Sequence, residues 1–216
     1  MTRYMLAPLA LLGLLATVPA DAQPAGTLAP RVHFETSVGN FVVEVDTVRA
    51  PITAENFLRY VRDGAYDGTV FHRVIANFVV QGGGYDDRLT LRTARATIPN
   101  ESGNGLSNRR GTLGLAREES PHSGSSQFYI NLVDNPALDP LPSRWGYAVF
   151  GRVVEGMDVV DRIGYLRTEA VANFGGDVPV DRPLVRRAWV TDGTPTTPAE
   201  PEPPPPPSQE QAGSSE

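Results

Sequence analysis

An arginine, a glutamine and several apolar and aromatic side chains stand at short spacing near the middle of this chain. Arg73 lies in Phe71-His72-Arg73-Val74-Ile75, and Gln81 follows eight residues later in Phe78-Val79-Val80-Gln81-Gly82-Gly83-Gly84. A second run reads Ser125-Ser126-Gln127-Phe128-Tyr129-Ile130-Asn131, and a third Tyr147-Ala148-Val149-Phe150-Gly151. Arg holds its donors in a rigid planar fork, which suits it to fix one geometry by hydrogen bonding. Read alone, however, Arg73 is a solvated strand charge, Gln81 an ordinary strand polar residue, and Phe78 and Tyr129 core residues. Other chemistries are excluded more firmly. Ser125 or Ser126 with His72 or His122 makes no hydrolase, because no G-x-S-x-G is present and the Ser pair precedes a strand. Gly82-Gly83-Gly84 lacks the helix, Lys and Ser/Thr of a phosphate loop. The 3 His residues are scattered without metal-site spacing, and with 0 Cys there is no thiol for redox chemistry or metal binding.

The elements that must position these residues are mostly strands. Val32 to Thr36 alternates, Ser37-Val38-Gly39-Asn40 turns, and Phe41 to Val45 alternates again, which predicts a hairpin. Further strands are predicted at Thr69 to Ile75, Phe78 to Gln81, Thr112 to Ala116, Gln127 to Leu132, Ala148 to Val154 and Leu184 to Val190, each β-branched or aromatic and bounded by turn residues. Pro51 to Arg62 predicts a helix, with Ala54, Phe57, Leu58 and Val61 on one face, Pro in its first turn and Gly64 as its stop. Met157 to Ile163 predicts a second. Eight short strands and two helices predict a mainly β fold, a closed eight-stranded antiparallel barrel capped by two α-helices. Closure removes exposed strand edges.

The ends read differently. Arg3, the Leu- and Ala-rich run Met5 to Val18 and the A-x-A site Ala20-Asp21-Ala22 predict a secretory signal over 1–22. The run is short for a membrane span, so no membrane anchor is expected after cleavage. Residues 23–29 read as a flexible leader and 30–193 as the folded domain. Residues 194–216 read as a disordered Pro- and Glu-rich tail containing Pro203 to Pro207, with no apolar side chains to offset its ordering entropy. Export to the periplasm is expected, with release outside the cell as the alternative. A net charge of −6 and no basic stripe exclude a nucleic-acid partner. Every basic residue is Arg. Without Cys the domain relies on core burial alone.

Taken together, the three runs resemble the cyclophilins, most closely their bacterial exported branch. Thr53-Ala54-Glu55-Asn56-Phe57 and Val154-Glu155-Gly156-Met157-Asp158-Val159-Val160 also match, and the resemblance spans about Val32 to Val190, in order. It implies a peptidyl-prolyl cis-trans isomerase with an eight-stranded barrel and two capping helices. It implies no cofactor and no metal. It places the catalytic arginine on Arg73, and the proline pocket and peptide-binding residues on Phe78, Gln81, Ala116, Arg117, Gln127, Tyr129, Leu138 and Tyr147. Val79 joins the pocket wall. The implied partners are proline-containing unfolded or flexible segments. Separately, the sequence shows no sign of an oligomer interface, and a monomer is expected.

Amide resonance sets a barrier of roughly 18–20 kcal/mol to rotation, and X–Pro isomers exchange over roughly tens of seconds or longer. A twisted amide nitrogen regains its lone pair, so a guanidinium N–H from Arg73 would favour the twisted form over the planar one. Gln81, on the neighbouring strand, would hold that guanidinium. His72 has no task, because rotation transfers no proton. The chain also departs from the family pattern. Eukaryotic members carry Met at Val79, Asn at Arg117 and His at Tyr147. Ala137 stands where Trp or Phe is usual, which removes a wall and predicts weak cyclosporin binding. The same loss supports a different reading, a non-catalytic binding module or holdase that uses the groove only for capture.

Overall fold

The structure, a computed structural model, describes residues 29–191. The predicted signal (1–22), the leader up to residue 28 and the tail (194–216) lie outside the described residues. The chain opens with β1 (Arg31–Thr36) and β2 (Asn40–Val45), followed by α1 (Pro51–Arg62), β3 (Arg73–Ile75), β4 (Val79–Gly82), β5 (Thr112–Leu115) and β6 (Phe128–Asn131). A 3-10 turn at Pro136–Leu138 leads to β7 (Val149–Glu155) and α2 (Met157–Gly164). Then come β8 (Thr168–Val171), β9 (Gly175–Pro179) and β10 (Val185–Thr191). Eight strands form one antiparallel sheet in the order β10-β1-β2-β7-β5-β6-β4-β3, and β8 and β9 pair separately.

This is the predicted mainly β fold with two helices, with differences in detail. The sheet curls, but its end strands β10 and β3 are not joined by a ladder. The gap is bridged by irregular chain before β3: Phe71 N donates to Pro183 O (3.0 Å), Val185 N to Thr69 O (2.8 Å) and Gly68 N to Val185 O (2.8 Å). The predicted strand from Thr69 is therefore split. Thr69 and Val70 make isolated bridges to Asp86 and Leu184, and only the last three residues join β4. The predicted start at Phe78 also shifts, because Phe78 N closes a turn on Ile75 O (3.1 Å) with Asn77 at φ 57°, a left-handed conformation that Asn tolerates. The β8–β9 hairpin is unpredicted. Its residues are mostly half-buried or exposed and lack the period-two apolar pattern that marks a strand.

The core fills the interior of the curled sheet. Phe34, Phe41, Phe57, Tyr66, Phe71, Phe128 and Phe150 are all buried there. Phe34 stacks on Phe41 with ring centroids 4.8 Å apart, and Phe57 meets Phe128 edge-on at 5.5 Å. α1 buries Ala54, Phe57, Leu58 and Val61, as its spacing predicts. Its first turn has no local side-chain cap. The Glu101 carboxylate serves instead, accepting from Ile52 N (3.1 Å), Thr53 N (2.7 Å) and Thr53 Oγ1 (2.6 Å). α1 also reaches the second sequence run, since Asn56 Nδ2 donates to Ser125 O (2.6 Å).

Candidate active site

Register determines which side chains share a face, because residues directly opposite across a ladder point the same way. Arg73 lies opposite Gln81, Gln81 opposite Tyr129, Tyr129 opposite Gly114, and Gly114 opposite Val149. These positions make one row across β3, β4, β6, β5 and β7. The alternating positions Val74, Val80, Ile130 and Leu113 make the neighbouring row and belong to the interior cluster. The Arg73 row therefore faces outward. Val79, two residues from Gln81, shares that outer face. Val79 and Tyr129 are buried yet stand outside the interior cluster. They form a covered floor on the outer wall.

Around it lie the other predicted residues, each half-buried: Phe78, Ala116, Arg117, Gln127, Leu138 and Tyr147. Arg73 Nη1 donates to Gln81 Oε1 at a long 3.4 Å, and Gln81 Nε2 donates to Gln127 Oε1 at 3.0 Å. On its other side Arg73 Nε lies 3.3 Å from Asp177 Oδ2 of β9. The Gln127 side chain lies so close to the backbone of Gly84 that a Cβ there would stand 2.6 Å from its Cγ. The glycine run after Gln81 thus serves close approach, not phosphate. Ala116 N donates to Gln127 O (3.0 Å), which leaves the Ala116 carbonyl outside that bond.

Tyr129 is fixed from both ends. Its ring lies across Gly114, where any Cβ would overlap it. Its hydroxyl donates to Asn108 Oδ1 at 2.6 Å. Burial pushes its pKa well above 10, so the hydroxyl stays a donor. Asn108 is held by Asp139 Oδ1, which accepts from its N (2.7 Å) and Nδ2 (2.8 Å). Asn131 Nδ2 reaches Asn108 Oδ1 (3.3 Å), and Asn135 Nδ2 reaches Asn131 Oδ1 (2.8 Å) and Phe78 O (3.0 Å). This amide chain ties Phe78 to the turn that carries Leu138. Sequence reasoning missed it, although Asn131 stands inside a quoted run.

At the far end Tyr147 meets Tyr129 edge-on at 5.9 Å, and the Arg117 guanidinium stacks on Tyr147 at 4.4 Å. Arg117 donates to four carbonyls: Gly146 (3.2 Å), Glu118 (2.8 Å), Glu119 (3.2 Å) and Trp145 (3.1 Å). Most of its donors are used in folding the loop under Tyr147. Ala137 is exposed at the 3-10 turn. His72 is buried, with Nδ1 unpartnered. Burial lowers its pKa to about 4, so the ring is neutral near pH 7.

Among the described residues no group of three or more His, Cys, Asp or Glu could hold a metal ion, and no helix is long and apolar enough to cross a membrane. A cavity of about 500 Å³ opens beside Glu44, Asp46, Arg49 and Arg152; it shares Val149 and Thr112 with the outer face but contains neither Arg73 nor Gln81.

Fold and row together define a β-barrel-like protein with linked polar side chains on its outer wall. Residues 31–188 match the family model described as cyclophilin type peptidyl-prolyl cis-trans isomerase/CLD. A peptidyl-prolyl cis-trans isomerase of Streptomyces antibioticus is 47% identical over 160 residues, covering 73% of this chain and 96% of that protein. Peptidyl-prolyl cis-trans isomerase A of Dickeya dadantii is 42% identical over 183 residues (85% and 94%), and isomerase B of Escherichia coli 42% over 164 residues (74% and 99%). A crystal structure of a Cryptosporidium parvum cyclophilin-type isomerase shares the fold, with a TM-score of 0.63 at 22% identity over 76% of this chain and 98% of that one. The same protein has been crystallised in the presence of the dipeptide Ala-Pro. The chain belongs to the cyclophilin family and is a peptidyl-prolyl cis-trans isomerase.

Proposed function

We propose that Arg73 is the group that accelerates rotation about X–Pro bonds, and that it acts on exported polypeptides. The observation that carries this reading is the outward row of Arg73, Gln81 and Tyr129, with half-buried Phe78 beside it. Raising an exchange of about once in a hundred seconds to about a thousand per second is a gain near 10⁵, or roughly 7 kcal/mol of preference for the transition state. A guanidinium N–H aimed at the imide nitrogen supplies part of it, because a planar amide nitrogen is a poor acceptor and a twisted one a good one. Gln81 holds the guanidinium, and Gln127 in turn holds Gln81. Phe78, Val79, Leu138 and Tyr129 seat the proline ring. Gln127 and the Ala116 backbone hold the flanking peptide while the other end turns. Arg117 and Tyr147 shape the rim together.

The test is a coupled isomerisation assay on a short proline peptide with Arg73→Ala as the variant. We expect kcat/KM to fall by about two to three orders of magnitude, in line with loss of one preorganised donor. Equal rates in both proteins would overturn the assignment. Export is supported by residues 1–22, read as a signal, and is tested by N-terminal sequencing of the protein from the periplasmic fraction. Cyclosporin binding is expected to be weak because the small side chain of Ala137 replaces an aromatic wall; calorimetry giving an affinity equal to that of sensitive eukaryotic members would refute this.

A further inference from the structure

Arg73 has two neighbours that restrain it, and only one lies in the runs that pointed to it. Gln81 takes Nη1 at 3.4 Å, near the limit for a hydrogen bond. The second is Asp177, whose Oδ2 lies 3.3 Å from Nε. Asp177 stands in the β8–β9 hairpin, which forms its own sheet and packs against β3, the end strand of the main sheet. The hairpin is anchored on both sides of Asp177. Val178 is fully buried, and Phe174 meets Tyr85 edge-on at 4.9 Å and His72 at 6.3 Å. The carboxylate is therefore offered from a seated element.

We infer that Asp177 is a positioning residue for the isomerisation: it holds Nε of Arg73 so that the remaining Nη donors face the groove. The inference rests on the role of Arg73 proposed above. An Arg side chain has several rotatable bonds, and a donor aimed at one nitrogen atom works only if the fork cannot swing. One long bond to Gln81 leaves the fork free to pivot about it. A second contact at Nε, on the opposite part of the guanidinium, removes that pivot. Stability is not the reason for the pair. Both side chains are more than a third exposed, at 38% and 39%, and exposed pairs contribute little to folding. A contact of small stabilising value on a restrained element is explained by orientation.

The experiment compares Asp177→Ala, Asp177→Asn and Asp177→Glu in the full chain, each also combined with Arg73→Ala. We expect Asp177→Ala to lower kcat about 5- to 10-fold with KM nearly unchanged, because only the transition state uses the aimed donor. Asp177→Glu should recover much of the loss, and Asp177→Asn little. In the Arg73→Ala background, Asp177→Ala should cause no further loss. Independently of activity, the Nε–H resonance of Arg73 in ¹H–¹⁵N spectra should shift and broaden in Asp177→Ala. Wild-type kcat in Asp177→Ala, a rise in kcat, or an equal loss in both backgrounds would overturn the inference while leaving the role of Arg73 intact. Unchanged activity in Arg73→Ala alone would instead remove that role and this inference with it.

Discussion

The inner and outer faces of β3, β4, β6 and β5 come from alternate residues of the same short runs, yet they follow opposite rules. Inward, Val74, Val80, Leu113, Ile130 and Phe128 are buried among one another and the aromatic cluster. Outward, Arg73, Gln81 and Tyr129 are joined by specific polar contacts to Gln127, Asp177 and Asn108. The first face is held by area removed from water and tolerates changes that conserve volume. The second is held by direction, since each polar group meets a particular partner at a particular distance. On the site proposed above, a strand of period two carries stability and chemistry in the same few residues with little crosstalk.

That separation can be broken by experiment. Phe128→Ala should destabilise the protein by about 3–5 kcal/mol, because a buried aromatic packed on Phe34, Phe57, Tyr66 and Phe71 leaves a cavity. Urea melts measure it. If the faces are independent, the folded fraction at low temperature should keep near-normal kcat. His72 lies at the seam, buried beside Tyr85 but adjacent to Arg73. Its pKa falls from 6.5 to about 4 on folding, so the unfolded chain binds the extra proton between those values. Stability should therefore be complete above pH about 6.5 and decline as pH falls towards 4, by about 3 kcal/mol in full. Melts from pH 7 to pH 4.5 test this, and His72→Gln should flatten the slope.

Gly114→Ala brings a Cβ into the Tyr129 ring. We expect about 1–3 kcal/mol of destabilisation and a several-fold loss of kcat/KM, since the floor of the groove must move. A wild-type rate would show that Tyr129 is not part of that floor. The smallest effect should come from Tyr129→Phe, which removes the bond to Asn108 and leaves Asn108 Oδ1 with Asn131 alone. About 1 kcal/mol of stability should be lost, with little change in turnover.

The two faces also differ in how far they could be read from the sequence. The eight strands of the main sheet and both helices are visible because apolar periodicity reports burial, and burial is what these elements share. Arg73, Gln81, Phe78 and Tyr129 stand out through the motifs around them. The restraints on those residues do not. Asp177 is far from Arg73 in sequence and sits on a hairpin whose exposed residues show no alternation. Asn108 and Asp139 lie in irregular chain, where no period exists to be read. Glu101 caps α1 from outside the helix, so the usual signal of a Ser, Thr, Asp or Asn at the helix start is missing. Side-chain direction across long separations leaves no local trace.

The edge of the sheet beside Arg73 is short and has a neighbour. β3 is only three residues long, ends the sheet, and has β9 lying against it. Extended polypeptides readily add themselves to an unguarded strand, and such main-chain zippering is hard to undo. With β9 against its free side, β3 is shielded from such pairing, and a passing chain meets instead the side chains of the Arg73 row and the Ala116 backbone. On the role proposed for Arg73, each visit to the groove can then end as soon as the proline bond has turned.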